Sequence, residues 1–298
     1  MSSESGKITA PAAALLTAIN GAATSFYAAQ PGFPFHAWDD IVILTGVDLA
    51  KEIGDHLPFG RLRLRDEPLL RAALATAAVP HPLPMCWSAA DLEREAQLGA
   101  RAFARAGLRA RDRTSDCLEG GLVTPGTLAI TDALDAIDAL ALPVGPITNE
   151  AALTRAREVW GIVQPQVLIT TGDTFAFLES RSDAPDVTHV LLLTPNEAAT
   201  LAAPARANVF RVLSLPIIGT FVAGECSAHD GLHIAEDAFL AEVVDGNGRE
   251  LSDGKSGRLL LSTLQRSHAV LRLDTGLRAA LDRVACRCGE PTARLHIG

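Results

Sequence analysis

Two short stretches near the C-terminal end decide the fold of this chain: ECSAHDGLH at residues 225–233 and CRCG at residues 286–289. Together they supply three cysteines and one histidine, namely Cys226, His233, Cys286 and Cys288. Three thiolates and one imidazole form a closed tetrahedral zinc site, in which no position is left for a catalytic water. The two stretches therefore predict a structural zinc ion, with His229 as the alternative to His233 for the fourth ligand.

The composition describes a chain that can bury a large core. Of its 298 residues 48% are hydrophobic, so disorder is not expected. The net charge of −9 argues against nucleic acids and anionic membranes as partners. No apolar run is long enough to span a bilayer and no signal-peptide pattern is present, so a cytoplasmic protein is expected. The five cysteines are too few and too clustered for a disulfide scaffold.

The apolar pattern divides the chain into three parts of one compact unit. Residues 1–110 are expected to form an N-terminal α/β part. Residues 111–215 alternate helices with continuous apolar strands, which suits a parallel sheet covered on both faces. Residues 216–298 are mostly strands and tight turns and would hold the zinc clip. In the first part the spacing predicts helices over 11–28, 48–57, 66–77 and 88–107. The proline-rich stretch at 81–85 is expected to close off the third of these helices. Ser88 is a candidate N-cap of the fourth helix, with Asp91 in its first turns.

The order of these motifs resembles the phenylacetate–CoA ligase family of adenylate-forming enzymes. The EC…GLH segment is followed by a strand–DG-turn–strand unit, then by Arg272 and Thr275-Gly276, and finally by the Cys-x-Cys-Gly run. Upstream, RAGLRARDRT at 105–114 and QPQVLITTGDTFAFLES at 164–180 are also similar to that family. The resemblance implies an α/β fold of two α/β sheet layers plus a distorted β-barrel subdomain. It also implies that the mobile C-terminal domain of such ligases is absent.

Several elements that the resemblance leads us to expect are replaced in this chain. The family's glycine-rich phosphate loop would fall on AVPHPLPMCWSAADLE at 78–93, which has no glycine and whose prolines remove N–H donors. The magnesium-binding glutamate would fall on Pro216, the adenine-contacting aromatic residue on Val212 and the ribose-binding aspartate on Leu277. A Gly-Ala-Glu turn would fall on residues 194–196. Because these elements are replaced, we expect that ATP and Mg²⁺ are not cofactors of this chain.

The residues that could carry other chemistry follow predicted strands of the second part. Cys117 is a candidate nucleophile, Glu119 a candidate general acid or base, and Asp173 a further candidate catalytic carboxylate. Each could instead be a core thiol, a solvated acid or a cap. The resemblance and the strand-end position together predict a substrate pocket. Its candidate residues are Gly120, Gly121, Thr170, Thr171 and Ser214.

Three functions are compatible with this sequence. The first is an ATP-independent enzyme of a specialised, secondary-metabolite pathway. It would use the former acyl pocket on an aromatic or acyl molecule, linked to CoA or to a carrier protein. The second is a non-catalytic scaffold or binding subunit, paired with itself as a homodimer or with an active ligase. The third is one half of an AMP-forming acyl-CoA ligase that a partner completes.

Overall fold

The computed structural model describes residues 10–76, 79–120, 123–180, 185–194 and 208–298. The α-helices in these ranges are α1 Ala10–Gly21, α2 Gly46–Asp55, α3 Ala89–Arg105, α4 Thr127–Asp135, α5 Glu150–Val163 and α6 Gly172–Ser180. The strands of the first two predicted parts are β1 Leu69–Ala75, β2 Leu83–Ser88, β3 Arg113–Asp116, β4 Val123–Thr124, β5 Leu140–Pro143, β6 Val167–Thr170, β7 His189–Thr194 and β8 Val209–Leu215. The strands of the last part are β9 Gly219–Gly224, β10 Leu232–Ile234, β11 Phe239–Val244, β12 Ser256–Thr263, β13 Leu273–Asp282 and β14 Arg294–Ile297.

The strands form two sheets, one large and one small. The large sheet has eleven strands in the order β11-β12-β13-β14-β10-β9-β8-β7-β6-β3-β5, and the small sheet has the order β2-β1-β4. Strands β5, β3, β6, β7 and β8 pair in parallel, whereas β8 to β14 pair in antiparallel fashion. The predicted mixed α/β class is confirmed. The strands expected to form a barrel continue the parallel half within one hydrogen-bonded sheet.

The connections in the parallel half create a crevice at one edge of the sheet. The chain leaves β3 for β5 on one side and then returns through α5 to β6 on the other side of β3. In such sheets ligands bind beyond the carboxyl ends of the strands, where the strand order changes direction. We call this the carboxyl edge; it is formed by the ends of β3, β5, β6, β7 and β8. Strand β9 runs antiparallel to β8. Its last residue, Gly224, therefore lies at the opposite edge of the sheet.

Helix α3 spans the molecule from the carboxyl edge to the opposite side. Ser88 caps it as predicted: the Ser88 Oγ accepts a hydrogen bond from the Asp91 N–H at 3.2 Å, and Asp91 Oδ2 accepts one from the Ser88 N–H at 3.1 Å. Its middle packs closely on α4 and β9 because residue 99 is glycine. A Cβ at that position would lie 2.4 Å from Ala133 Cβ and 2.6 Å from Phe221 Cε2.

The helix predicted over 66–77 is wrong, because residues 69–75 form strand β1. This segment pairs with β2 in antiparallel register, with Ala73 opposite Met85 and Ala75 opposite Leu83. A short apolar run satisfies both helical and extended spacing, so periodicity alone does not separate the two. The neighbouring strand decides the matter, and that strand includes the proline-containing stretch that sequence analysis treated as a breaker. Helix α1 also ends earlier than predicted, at Gly21.

One apolar cluster includes side chains from all three predicted parts, from Ile19 in α1 to Leu295 in β14. The buried Tyr27 hydroxyl donates to the Ala269 carbonyl and accepts from the Leu271 N–H, both at 3.0 Å. These bonds join the N-terminal helices to the β-rich part. None of the helices described is long and apolar enough to cross a bilayer.

His268 lies in this core and makes stability depend on pH. It is fully buried, its Nδ1 lies 3.7 Å from the buried Cys86 Sγ, and its Nε2 has no hydrogen-bond partner among the described residues. Burial, reinforced by the nearby Arg266 charge, lowers the pKa of His268 to about 3. An unfolded histidine titrates near pH 6.5. As pH falls, the unfolded state therefore takes up this proton first.

We expect the stabilisation from neutral His268 to be complete above about pH 6.5 and to be lost progressively as pH falls towards about 3. Within that window the slope from this residue approaches about 1.4 kcal/mol per pH unit. Urea unfolding of the natural chain and of His268→Gln, at several pH values between about 7 and 4, measures it. As pH falls, the natural chain should lose more unfolding free energy than His268→Gln does. Parallel curves of unfolding free energy against pH for the two proteins would contradict the prediction.

Candidate metal centre and the carboxyl edge of the sheet

Cys226, His233, Cys286 and Cys288 meet at one point, as the sequence predicted. Their potential ligand atoms all lie within 4.8 Å of one another. His233 lies on β10, opposite Gly224 of β9 and Arg294 of β14, so strands on both sides hold its backbone. Cys226 follows the end of β9, and the CRCG stretch forms the turn between β13 and β14. Two connections and one strand of the antiparallel half therefore supply the four donors.

The spacing of these donors fits a tetrahedral zinc ion. Zinc–sulfur bonds of about 2.3 Å and zinc–nitrogen bonds of about 2.0 Å place neighbouring sulfurs about 3.8 Å apart and a sulfur–nitrogen pair about 3.5 Å apart. The Cys226 and Cys286 sulfurs are 3.9 Å apart, and the Cys288 sulfur is 3.4 Å from His233 Nε2. These two pairs therefore have the separations that such an ion requires, and all four donor atoms lie within 4.8 Å of one another.

The imidazole of His233 is oriented by its other nitrogen. Nδ1 lies 3.1 Å from the Thr292 hydroxyl, which leaves Nε2 facing the thiols. Such contacts from outside the ligand set fix the ring position in metal sites. Burial, together with the charge of Arg105, lowers the pKa of His233, so the neutral form that binds metals is favoured.

Backbone N–H groups point at the three thiols. The N–H of Ala228 bonds to the Cys226 sulfur, the N–H of Cys288 bonds to the Cys286 sulfur, and the N–H of Glu290 lies 3.4 Å from the Cys288 sulfur. Burial raises the pKa of Cys226 to about 11. Burial acts in the same direction on Cys286, but the Cys288 N–H and the neighbouring thiols outweigh it and lower its pKa. Such N–H groups stabilise thiolate, the form that binds metal.

His229, the alternative fourth ligand, lies outside the cluster. Its ring stacks on Phe210 with 4.9 Å between ring centroids, and its Nδ1 lies 3.7 Å from Glu225 Oε2. The structure thus places His233 and not His229 with the three cysteines. The spacing of the two histidines did not distinguish them, because the positive φ of His229, +49°, and the turn that it forms cannot be read from spacing.

The predicted catalytic residues lie at the carboxyl edge and differ in their exposure to solvent. Cys117 is buried, its N–H bonds to the Ile169 carbonyl at 2.9 Å, and burial raises its pKa to about 12. The thiol is therefore protonated at neutral pH and shielded from solvent. Glu119 and Asp173 are both exposed to solvent.

The predicted pocket residues also differ in how far they are buried. Thr170 and Ser214 are fully buried, and the Ser214 hydroxyl has no partner among the described residues. Thr171 is half-buried and Gly120 is exposed, whereas Gly121 lies outside the described residues. Thr170, Thr171, Ser214 and Gly120 thus lie at the same edge of the sheet.

Asp116 is a buried acid at this edge that the sequence analysis missed. It ends β3, and its carboxylate accepts hydrogen bonds from the Leu118 N–H at 2.9 Å and from the Thr127 hydroxyl. Burial raises its pKa, although these two hydrogen bonds act in the opposite direction. In the sequence, the only indication of this buried acid was its place at the end of the RTSD run, residues 113–116. The bonds that it makes fix the loop that carries Cys117 and Glu119.

The start of α3, where a phosphate loop was expected, is already capped by its own carboxylate. Asp91 accepts hydrogen bonds from the backbone N–H groups of Ser88 and Ser267, both at 3.1 Å, and from the Ser267 hydroxyl. Burial alone would raise the pKa of Asp91, but these bonds outweigh it and lower the pKa. The helix terminus that would attract an anion therefore already holds a negative charge.

The adjoining turn between β8 and β9 is packed with apolar side chains. Pro216, which stands where the magnesium-binding glutamate was expected, is buried together with Ile217 and Ile218. Arg266 donates to the Ile218 carbonyl at 2.9 Å and lies 4.9 Å above the Trp87 ring. Among the described residues, the two cavities next to this turn and to the start of α3 measure only about 20 and 30 Å³.

The other two replaced positions are apolar and buried as well. Val212 lies within β8 and Leu277 within β13, and both belong to the core. Of the run at 194–196, Thr194 is buried at the end of β7, and the other two residues lie outside the described ranges.

Sequence comparison identifies enzymes that are similar to this chain. No family model matches the chain. It is 28% identical over 261 residues to the phenylacetate–coenzyme A ligase of Thermus thermophilus, covering 82% of this chain and 57% of that enzyme. It is 27% identical over 278 residues to the phenylacetate–coenzyme A ligase of Aromatoleum evansii, covering 86% of this chain and 60% of that enzyme. The chain thus spans less than two thirds of the length of these relatives.

Structural comparison identifies solved structures that share the fold of this chain. The chain superimposes on 2-hydroxyisobutyryl-CoA ligase, in an open conformation with 2-HIB-AMP and CoA, with a TM-score of 0.77 and 16% identity, covering 95% of this chain and 73% of that one. A post-adenylation state of this ligase matches with a TM-score of 0.77 and 17% identity, covering 99% and 70%. The chain therefore has the fold of the large domain of adenylate-forming ligases, and its sequence is similar to those of phenylacetate–CoA ligases.

Proposed function

We propose that this chain retains the scaffold of an adenylate-forming ligase but does not itself form an acyl-adenylate, and that it acts as a non-catalytic binding or scaffold subunit. The observation that carries this proposal is the packing of side chains beside the start of α3. Asp91, Arg266 and Trp87 occupy the space beside the start of α3, and Pro216 stands in the turn where a metal-binding acid was expected.

The electrostatics of this edge oppose nucleotide binding. Triphosphate needs backbone N–H donors and a magnesium ion held by carboxylates. Here the Asp91 carboxylate takes the donors and adds negative charge, and no acid stands at 212, 216 or 277. Loss of one preorganised electrostatic element commonly costs about 3 kcal/mol of barrier. Several such losses together are enough to abolish adenylation.

The environment of the predicted catalytic residues favours the binding role over an ATP-independent enzyme. A nucleophilic Cys117 would need a lowered pKa and access to substrate, and its buried thiol has neither. Action on an aromatic or acyl substrate, carried by CoA or by a carrier protein, remains a prediction. So do pairing as a homodimer and completion of a ligase in trans.

We further propose that the Cys₃His cluster binds a structural zinc ion. The donor set and its spacing support zinc, and four protein ligands leave no position for a reacting water. The ion would hold the CRCG turn between β13 and β14 against the end of β9. Its contribution is to stabilise the antiparallel half of the sheet.

ATP–pyrophosphate exchange tests the loss of adenylation. We expect the metal-loaded chain to give no exchange above background with a panel of aryl and alkyl carboxylic acids. A phenylacetate–CoA ligase of full length, assayed in parallel, shows that the conditions support the reaction. Exchange that depends on the added acid and rises in proportion to the amount of chain would contradict the proposal.

A further inference from the structure

A groove of about 570 Å³ opens beside the metal cluster, at the end of α3 farthest from Asp91. Its walls are the C-terminal half of α3, strand β9, and the residues after β10 and after the CRCG turn. Three of the four cluster residues line it, namely Cys226, His233 and Cys288. The groove is therefore separate from the carboxyl edge and leads directly to the cluster.

Cys288 is the member of the cluster that solvent reaches. It is exposed, whereas Cys226, His233 and Cys286 are buried. Its sulfur lies 3.4 Å from His233 Nε2, so the exposed thiol and the imidazole stand side by side at the wall of the groove. An ion that arrives through the groove would meet this pair before it reaches the buried sulfur of Cys286.

The charged side chains in the groove have an excess of negative charge. Three carboxylates, Glu236, Asp237 and Glu290, face two guanidinium groups, Arg101 and Arg105. Arg101 binds both Asp237 oxygens, at 2.8 and 2.9 Å, and Arg105 Nη2 lies 3.4 Å from Glu290 Oε1. Glu236 has no ion-pair partner among the described residues; one of its oxygens accepts the Ala293 N–H at 3.1 Å.

We infer that this groove is the route by which a divalent metal ion enters and leaves the Cys₃His cluster, with Glu236 and Glu290 attracting the cation and Cys288 as its first protein ligand. This inference rests on the proposed metal centre. Low-dielectric walls that carry one sign of charge concentrate counter-ions and speed their association. Carboxylate oxygens also bind hydrated divalent ions weakly enough to pass them on to thiolates.

The groove contains an opposing charge that makes the route testable in both directions. Arg105 lines it, and its guanidinium lies 3.4 Å from Glu290 and close enough to His233 to affect that ring electrostatically. A cation beside the cluster repels an arriving divalent ion. Removing Arg105 should therefore speed metal association, whereas removing the carboxylates should slow it.

The test measures how fast Co²⁺ associates with the metal-stripped, full chain by stopped-flow absorbance of its thiolate charge-transfer band. At low ionic strength we expect Glu236→Gln/Glu290→Gln to bind about 10-fold more slowly and Arg105→Gln several-fold faster. The differences should disappear at about 1 M salt, where charges are screened over about 3 Å. All variants should reach the same metal stoichiometry.

The matched control is Glu250→Gln, which removes an exposed carboxylate that pairs with Arg283 and does not line the groove. It should leave the rate unchanged. If stripping unfolds a variant, exchange of isotopically labelled zinc into the loaded protein measures the same route. A chain that binds no stoichiometric metal would refute both the metal centre and the route. A chain that binds metal at equal rates in all variants would refute the route alone.

Discussion

Replacement of Cys226 by serine is expected to abolish metal binding and to lower the melting temperature by roughly 10 °C or more. Cys226 is buried and its sulfur lies 3.9 Å from that of Cys286, so no water can take its place without disturbing the turn. Metal affinity gained only in the folded state adds directly to folding stability. Because the chain also has a large apolar core, we expect destabilisation and not complete unfolding.

Two histidine variants form the matched comparison for this prediction. His233→Asn should lose the metal, since His233 Nε2 faces the thiols. His229→Asn should keep it, since that ring stacks on Phe210 outside the cluster. Metal analysis of the purified proteins, together with melting curves before and after chelation, gives the result. Stoichiometric zinc in His233→Asn, or an unchanged melting temperature after chelation, would show that the cluster is not a structural zinc site.

Substitution of Gly99 by alanine is expected to destabilise the fold by about 3 kcal/mol. The added methyl group would lie 2.4 Å from Ala133 Cβ and 2.6 Å from Phe221 Cε2, well inside van der Waals contact. These neighbours belong to α4 and β9, so relief requires α3 to move away from both. That movement would open the core on which α3 depends.

Gly161 provides the matched control because it is a glycine within helix α5 with no heavy atom within 4 Å of an added Cβ. Gly161→Ala should stabilise the chain by about 0.5–1 kcal/mol, since alanine is the better helix former. Urea unfolding of both variants and of the natural chain measures the two effects. If both substitutions changed the unfolding free energy in the same direction, the packing described for Gly99 would be incorrect.

The sequence was most informative where residue chemistry and local periodicity agree. The buried apolar runs of β6 and β7 predicted parallel strands, and the Ser88–Asp91 pair predicted the start of α3. The meeting of Cys226, His233, Cys286 and Cys288 could be predicted because cysteine and histidine residues with this spacing are typical of zinc-binding sequences. In each case a few residues close in sequence carry the whole signal.

Features that depend on partners distant in sequence could not be predicted. Strand β1 was assigned as a helix because the pairing that makes it a strand comes from β2. The Asp91–Ser267 bonds, which cap the edge where a phosphate was expected, join residues 176 positions apart. The burial that keeps Cys117 protonated is likewise a product of the assembled sheet. Spacing identified these residues as candidates, but only packing determines what they can do.

We propose that the nucleotide site of the adenylate-forming fold is closed in this chain. A titration of the metal-loaded chain with Mg²⁺ and ATP, followed by calorimetry and by ligand-observed NMR, tests it most directly. We predict no saturable binding up to a nucleotide concentration of about 1 mM. Saturable, magnesium-dependent binding well below that concentration, with ATP resonances broadened by the chain, would contradict the account.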